Sequence, residues 1–157
     1  ATGDLGGDGV DELITGAGVG GGPQINVYSG GSLNLQAAFF AYETDFLGGV
    51  FVATGDLDGD LRDEIITGQG AGGNARVNYF SGQNYQRLGS FLAYGQSFTG
   101  SVRVGAADYY GTGIQNLITG AGAGGGPQVN VYDSNNNVVD SFFGANDPSF
   151  TRGIYVS

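Results

Sequence analysis

Residues 3–18 read GDLGGDGVDELITGAG, residues 55–70 read GDLDGDLRDEIITGQG, and residues 107–122 read ADYYGTGIQNLITGAG. The three stretches recur at an interval of 52 residues, so that Asp4, Asp56 and Asp108 occupy the same position of each copy. A fixed period of this length is typical of solenoids, propellers and arrays, whose units bury their apolar faces by stacking on their neighbours. We therefore predict a single repeat domain over residues 1–157, with units at 2–53, 54–105 and 106–157.

Each unit holds four short segments rich in branched and aromatic residues, separated by glycine-containing turns, which is the pattern of an all-β chain. Apolar Ile25 and Val27 alternate with polar neighbours, as in a strand with one buried face. No helical pattern of useful length appears. The predicted strands are 12–15, 24–28, 36–42, 50–53, 64–67, 76–80, 88–94, 102–105, 116–119, 128–132, 138–143 and 154–157. Four strands in such a unit match the size of a propeller blade.

Composition argues against several kinds of partner and chemistry. The formal charge is −10, from fifteen acids and five arginines, so we expect neither nucleic acid nor membrane as a partner, because both attract clustered positive charge. Cysteine, histidine and lysine are absent, which removes disulfides, thiol or imidazole catalysis and the usual zinc sites. No apolar run reaches membrane length, and the acidic, lysine-free composition favours an extracellular or cell-surface protein.

The second unit carries the strongest candidate for a cation site. Asp56, Asp58 and Asp60 alternate, and Glu64 follows at position nine of the same loop. Carboxylates at positions one, three, five and nine, with the backbone carbonyl of Arg62 at position seven, can converge on one hard cation. Ca²⁺ suits a flexible, all-oxygen site of this kind better than Mg²⁺ does. The alternative is a solvated turn, which the recurrence of the acids one period away disfavours.

The first loop is a compromised version of the second. Asp4, Asp8, Glu12 and the carbonyl of Val10 remain as ligands, but position three is Gly6, which has no side-chain oxygen. We expect weaker Ca²⁺ binding there, with water in place of the missing ligand.

At position six of the loop, a sharp turn favours glycine, and here the first loop has the better residue. The first loop has Gly9 there, whereas the second has Leu61. The third loop keeps Asp108 but is otherwise degraded, and we predict that it binds a cation very weakly or not at all. Its remaining ligand positions carry Tyr110, Thr112 and Asn116.

The pattern GDLDGDxxDEIITGxG, followed by a GG pair and a short strand, resembles the FG-GAP repeats of β-propellers, which are integrin α-like and related to VCBS repeats. The likeness extends over the whole chain in three copies. It implies a Ca²⁺ site between the first and second strands of a blade. The ligands it implies are Asp56, Asp58, Asp60, the carbonyl of Arg62 and Glu64.

The resemblance also assigns strand order, because in that family the segment before the loop is the inner first strand of a blade. Segments 50–53 and 102–105 are then first strands, and 154–157 is a first strand whose blade is incomplete. We expect it to complete a blade at the amino-terminal end, most simply that of another chain. Since closed propellers have about four to eight blades, a two-chain ring or an open head-to-tail filament follows.

Three functions compete. The first is a non-enzymatic, calcium-binding module with a structural, adhesive or self-assembling role, which extracellular proteins or other copies would contact. The second is a lectin-like propeller that stacks tyrosine rings on a glycan, although tyrosines also fill blade interfaces. The third, a glycoside hydrolase, needs two carboxylates about 5–10 Å apart, and no such pair recurs among Glu43, Asp45, Asp140 and Asp147. We therefore expect a binding protein and no enzyme. The candidate stacking residues are Tyr28, Tyr42, Tyr79, Tyr85, Tyr94, Tyr109, Tyr110 and Tyr132.

Overall fold

The computed structural model describes residues 1–157 and contains twelve β-strands, without a helix, which confirms the all-β prediction. No element is a helix of the length and hydropathy needed to cross a bilayer. The strands are β1 Thr2–Gly3, β2 Glu12–Gly16, β3 Gln24–Tyr28, β4 Leu35–Phe40, β5 Val50–Gly55, β6 Glu64–Gln69, β7 Arg76–Phe80, β8 Arg87–Leu92, β9 Val102–Ala107, β10 Asn116–Ala121, β11 Gln128–Tyr132 and β12 Val138–Phe143.

The strands form three four-stranded sheets of the same design. The first sheet consists of β1 to β4, the second of β5 to β8 and the third of β9 to β12, and within each sheet consecutive strands pair antiparallel. The register shifts by a bulge near the end of the third strand of every sheet, between Val27 and Tyr28 in the first and at the matching positions in the others. The sheets therefore repeat down to the level of register, as a sequence period of 52 residues requires.

The core lies between the sheets. We call the contact of the first and second sheets the first interface, and that of the second and third sheets the second interface; the three sheets do not close into a ring. Burying one large aliphatic side chain in such a core stabilises a fold by about 1.5–3 kcal/mol. The buried apolar residues of the first interface are Leu5, Ile14, Ile25, Val27, Ala41, Tyr42, Val50, Ile65 and Phe80. Those of the second are Ala53, Ile66, Ala75, Val77, Ala93, Val102, Val104, Leu117 and Tyr132.

A glycine in the second strand of each sheet lets the next segment pass close by. A Cβ atom at Gly68 would lie 2.3 Å from the carbonyl oxygen of Val102 on β9, far inside van der Waals contact. Gly16 stands in the same relation to Val50 on β5, at 2.6 Å. The repeated Thr-Gly pair of the sequence is therefore a packing device between neighbouring sheets.

The predicted strands 36–42 and 88–94 are too long, because each ends two residues earlier, at Phe40 and Leu92. The tyrosine that follows leaves the sheet and crosses to the next one. The Tyr42 hydroxyl shares a 3.1 Å hydrogen bond with the Thr67 hydroxyl and donates to a main-chain carbonyl of β7, also at 3.1 Å. Tyr94 makes the equivalent bonds one unit later. Both tyrosines fill the interfaces rather than present a stacking surface.

The predicted strand 154–157 is wrong as a strand, since no neighbouring segment pairs with it in the ladder that defines one. The segment nevertheless lies on the third sheet as β5 lies on the first. The amide of Ile154 donates to the Ala121 carbonyl at 2.9 Å, and the amide of Val50 donates to the Ala17 carbonyl at 2.8 Å. The expected pairing of this segment as the first strand of another blade is not present within the chain and stays a prediction for another copy.

The third sheet departs from the period in one hairpin. In the second sheet β7 and β8 are joined so that Phe80 pairs with Arg87, whereas in the third Tyr132 pairs with Val138, one residue sooner. The turn residue with positive φ is Tyr85 in the second sheet (60°) and Asn136 in the third (62°). Asn136 is therefore the structural counterpart of Tyr85, although the two are 51 residues apart.

Candidate cation-binding loops

The three acidic loops lie at the same end of the sheets, each between the first and second strand. Consecutive loops are joined by main-chain hydrogen bonds. The amide of Asp63 in the second loop donates to the Asp4 carbonyl at 2.9 Å, and the amide of Gln115 in the third donates to the Asp56 carbonyl at 2.8 Å. The second and third loops are thus each held by their own hairpin and by the loop before them.

The second loop is wound around the Asp56 carboxylate. One oxygen of this group accepts from the amide of Gly59 at 2.6 Å, and the other accepts from the amide of Leu61 at 3.0 Å. Asp58 and Asp60 each accept from the amide two residues further on, as turn-forming aspartates do. Leu61 takes the left-handed conformation, with φ of 66°, at the position where the sequence lacks glycine.

Three carboxylates of this loop converge. Ligand oxygens of Asp56, Asp58 and Glu64 lie within 4.8 Å of one another, and these residues form a group that is able to hold a metal ion. Oxygens that bind one Ca²⁺ at about 2.3–2.6 Å can be separated by no more than about 5 Å. The spacing of the three groups therefore fits a shared calcium ion.

Burial raises the free energy of the charged form of these carboxylates. Asp56 and Glu64 are only 9% and 5% exposed. Burial, and then the charges of Asp58, Asp60 and Asp56, raise the pKa of Glu64 to about 7 from an ordinary 4.5, while the amide of Leu57, 3.0 Å from its carboxylate, acts in the opposite direction. A bound cation would relieve the repulsion that these carboxylates exert on one another.

The nearest base does not neutralise the group. Arg62 directs its Nε to the Gly6 carbonyl of the first loop, at 3.0 Å, and its guanidinium lies 3.8 Å from the Asp60 carboxylate. The only other salt bridge in the chain joins Arg76 to Glu43. Asp60 is thus engaged with Arg62 and lies outside the group of three, although the sequence pattern places it among the ligands.

The first loop has the same backbone frame without the same convergence. Asp4 accepts from the amides of Gly7, Asp8 and Gly9, at 2.7–3.0 Å. These bonds, led by that from Gly9, lower the pKa of the Asp4 carboxyl. The amide of Leu5 donates to Glu12 at 3.1 Å, as that of Leu57 does to Glu64.

The predicted ligand Asp8 accepts from the amide of Val10, at 3.0 Å. With glycine at position three, Asp4, Asp8 and Glu12 do not form a close group of three acids.

The third loop retains only the backbone hydrogen bonds of the turn. Asp108 accepts from the amides of Thr112 and Gly113 at 2.8 and 2.9 Å. The Asn116 side chain, at position nine, donates its amide to the Tyr132 carbonyl at 3.0 Å, so that its nitrogen serves the strand next to it. This loop provides a structural turn, and the expectation that it is the weakest cation site of the three stays a prediction.

Sequence reasoning missed the leucine at position two of the loop. Leu5 and Leu57 use their amides to fix the carboxylates of Glu12 and Glu64, and they direct their side chains into the interfaces. The signal was present, because an Asp-Leu pair is followed by Glu at the same distance in both loops but not in the third.

No protein-family model and no curated protein matches this chain. The likeness to FG-GAP repeats therefore rests on the repeated residues themselves, above all on the alternating acids of the second loop. The case for cation binding therefore depends on the geometry of that loop and not on similarity to a known protein.

Proposed function

We propose that this chain is a non-enzymatic, extracellular calcium-binding β-propeller repeat protein with a structural or adhesive role. The observation that carries the proposal is the convergence of Asp56, Asp58 and Glu64, two of them buried, with no base paired to them. An unneutralised acidic group inside a rigid hairpin loop costs stability unless a cation binds it.

Calcium is favoured over magnesium by the form of the loop. Ca²⁺ accepts six to eight oxygen ligands in flexible geometry, whereas Mg²⁺ requires a near-ideal octahedron and retains several of its waters. Carboxylates supplied at several positions of one loop, at separations of up to 4.8 Å, match the larger ion. Side chains elsewhere in the loop, and water, would complete the coordination.

A structural role follows from where the ion would act. The second loop joins β5 to β6 and is bonded to the third loop through Gln115 and Asp56, so a bound ion would stabilise two sheets together. A ligand present at 100 times its Kd stabilises the folded state by about 2.7 kcal/mol.

Two of the acids outside the loops make contacts of another kind. Glu43 pairs with Arg76, and Asp147 accepts from the Ser149 side chain.

The test of the cation site is thermal unfolding of the wild type and of Asp56→Asn, with calcium and with a chelator. We expect calcium to raise the Tm of the wild type by several degrees, because about 1 kcal/mol corresponds to roughly 2–4 °C in a chain of this size. Asp56→Asn should lose most of this shift. Asp108→Asn, which changes the matching aspartate of the third loop, should keep it. An equal shift in both variants, or none in the wild type, would contradict the proposal.

We propose further that the blades continue through association of copies, in a ring or a head-to-tail filament. The three sheets do not close into a ring, whereas closed propellers have about four to eight blades. Segment 154–156 is docked on the third sheet without a strand partner, and the two-residue strand β1 pairs with β2 alone.

Assembly is tested by light scattering and negative-stain imaging of the wild type and of Val156→Pro. Proline cannot donate to a strand ladder, so the variant should dissociate while its sheets stay folded by circular dichroism. A wild type that remains a monodisperse monomer at micromolar concentration would contradict this part of the proposal and leave the calcium site standing.

A further inference from the structure

A cavity of about 100 Å³ lies at the second interface and reaches the cation loop. It opens at the surface, because Asp58 and Leu88 in its wall are both exposed. Its walls combine leucines and tyrosines with polar groups, and two of the three converging carboxylates belong to it. The lining residues are Leu57, Asp58, Glu64, Tyr79, Leu88, Gln115, Leu117, Tyr132, Asp133, Ser134 and Asn136.

The corresponding space at the first interface is filled. There Tyr85 stacks on Phe39 with ring centroids 5.9 Å apart, and Phe39 packs on Phe80 at 5.0 Å. Leu5, the counterpart of Leu57, is only 2% exposed beneath them. The first loop therefore faces solid packing on the side where the second loop faces a cavity.

One residue makes this difference. Asn136, the structural counterpart of Tyr85, has a short side chain whose amide donates to the Tyr79 hydroxyl at 3.3 Å. It leaves open the space that an aromatic ring occupies at the first interface. The shorter hairpin of the third sheet, which brings Asn136 to this position, is thus the origin of the cavity.

The cavity gives an outside molecule access to an ion in the second loop. Asp58 and Glu64 belong both to the carboxylate group and to the cavity wall. Ca²⁺ requires six to eight oxygens, more than the three converging carboxylates supply when each binds through one oxygen. The remaining ligands can therefore come from oxygen atoms of a molecule in the cavity.

The wall selects the chemistry of that molecule. No basic side chain lines the cavity, and the loop is strongly acidic, so an anionic ligand would be repelled. Gln115 and Ser134 supply polar groups, while Leu57, Leu88 and Leu117 supply apolar surface for C–H groups. The volume is well below the roughly 300–1,000 Å³ of sites for drug-sized ligands, so that only a part of a larger molecule enters.

We infer that the cavity binds a vicinal diol of a sugar, whose two hydroxyl oxygens replace water ligands of the calcium ion. The inference rests on the proposed calcium site and adds a ligand class to it. A diol is neutral, offers two oxygens at a spacing suited to one large cation, and carries C–H groups that pack on the leucine walls. The protein would then be a calcium-dependent carbohydrate binder at its second interface alone.

The test is saturation-transfer NMR with a panel of methyl glycosides that carry vicinal diols, on the wild type and on Asn136→Tyr. Tyrosine is tolerated in the backbone conformation of this turn, because Tyr85 has φ of 60° where Asn136 has 62°. The matched control is Asn135→Tyr, an exposed neighbour outside the cavity wall. Calcium binding and thermal unfolding are measured on the same samples.

We expect saturation transfer from the calcium-loaded wild type to the glycosides, its loss on addition of a chelator, and its loss in Asn136→Tyr. Asn135→Tyr should retain the signal, and all three proteins should bind calcium. No transfer from calcium-loaded wild type to any glycoside would overturn the inference without touching the calcium site. Transfer that persists with chelator or in Asn136→Tyr would also overturn it. A wild type that fails to bind calcium would instead remove the proposed function itself.

Discussion

The first and second loops share a backbone frame and differ in what they place inside it. In both, an aspartate at position one accepts amides from the turn, and a glutamate at position nine accepts the amide of the leucine at position two. Only the second loop adds an acid at position three, and only there do three carboxylates converge. The backbone conformation of the turn is therefore common to both loops, and the converging carboxylates are a side-chain addition to it.

The defects of the two loops are complementary. The first has Gly9 in the left-handed conformation at position six, with φ of 81°, but Gly6 at position three supplies no oxygen. The second has Asp58 at position three, but Leu61 must adopt φ of 66°. Neither loop combines a relaxed turn with a full set of ligands, so exchanging residues between them tests each contribution separately.

The largest effect is expected from Gly6→Asp, which gives the first loop its missing acid. The position has room, because an added Cβ would meet nothing closer than the Asp8 side chain at 3.7 Å, an ordinary contact. We expect calorimetric titration to show an additional calcium ion per chain. At 100 times its Kd that ion would add about 2.7 kcal/mol of stability.

The control for this variant is Gly6→Asn, which has similar size and no charge and should gain much less affinity. An unchanged stoichiometry in Gly6→Asp, with Asp56→Asn abolishing the remaining binding, would show that position three does not limit the first loop.

The two loops should also give opposite pH dependence in calcium-free protein. The pKa of Glu64 is raised to about 7 in the folded state, mainly by burial, so the folded chain binds more protons than the unfolded chain between pH 4.5 and about 7. Its contribution to the free energy of unfolding therefore falls as pH rises through that window. The pKa of Asp4 is lowered, chiefly by the Gly9 amide, so its contribution is lost as pH falls below the ordinary value of 3.8.

Chemical denaturation in the presence of a chelator, at several pH values, measures the free energy of unfolding over both pH ranges. Glu64→Gln should flatten its pH dependence between pH 4.5 and about 7. Asp4→Asn should flatten its pH dependence in the more acidic range. A calcium-free wild type whose stability rises across the upper window would contradict the assignment to Glu64.

The smallest effect is expected from the turn position. Leu61→Gly should stabilise the chain by up to about 1 kcal/mol, because a left-handed non-glycine residue is strained, while glycine is more flexible in the unfolded state. Little packing is lost, since Leu61 is 80% exposed. The reciprocal change, Gly9→Leu, should destabilise by a similar amount, and unfolding curves that shift in the same direction for both variants would refute this reading of the turn.

Much of the fold was predictable because the repeat is a local pattern. The alternation of Ile25 and Val27 placed β3 with its observed bounds, and the other third strands followed by the period. Strand ends were less predictable, because they depend on partners. Tyr42 looks like strand by composition, yet its hydroxyl is drawn to Thr67 of the next sheet, and segment 154–157 lacks a paired neighbour.

The candidate cation site, too, was predictable only in part from the sequence. Spacing alone indicated Asp56, Asp58 and Glu64, since oxygens at positions one, three and nine of such a loop can converge on one cation. It also indicated Asp60, whose carboxylate is engaged instead with Arg62, a residue that reaches across to the first loop. That choice depends on a neighbouring loop 56 residues away in the chain, which no local pattern contains.

By itself, the sequence determined the repeat, the all-β character and the acid content of each loop, because these follow from short-range spacing and residue chemistry. Only the tertiary structure decided which carboxylates converge, which tyrosines become interface residues and where the packing leaves a cavity. The space between two sheets is filled or left open by side chains from both of them. At the second interface Asn136 occupies the position that Tyr85 occupies at the first, because the hairpin of the third sheet is one residue shorter. This equivalence is seen only when the sheets are aligned by their strand pairing.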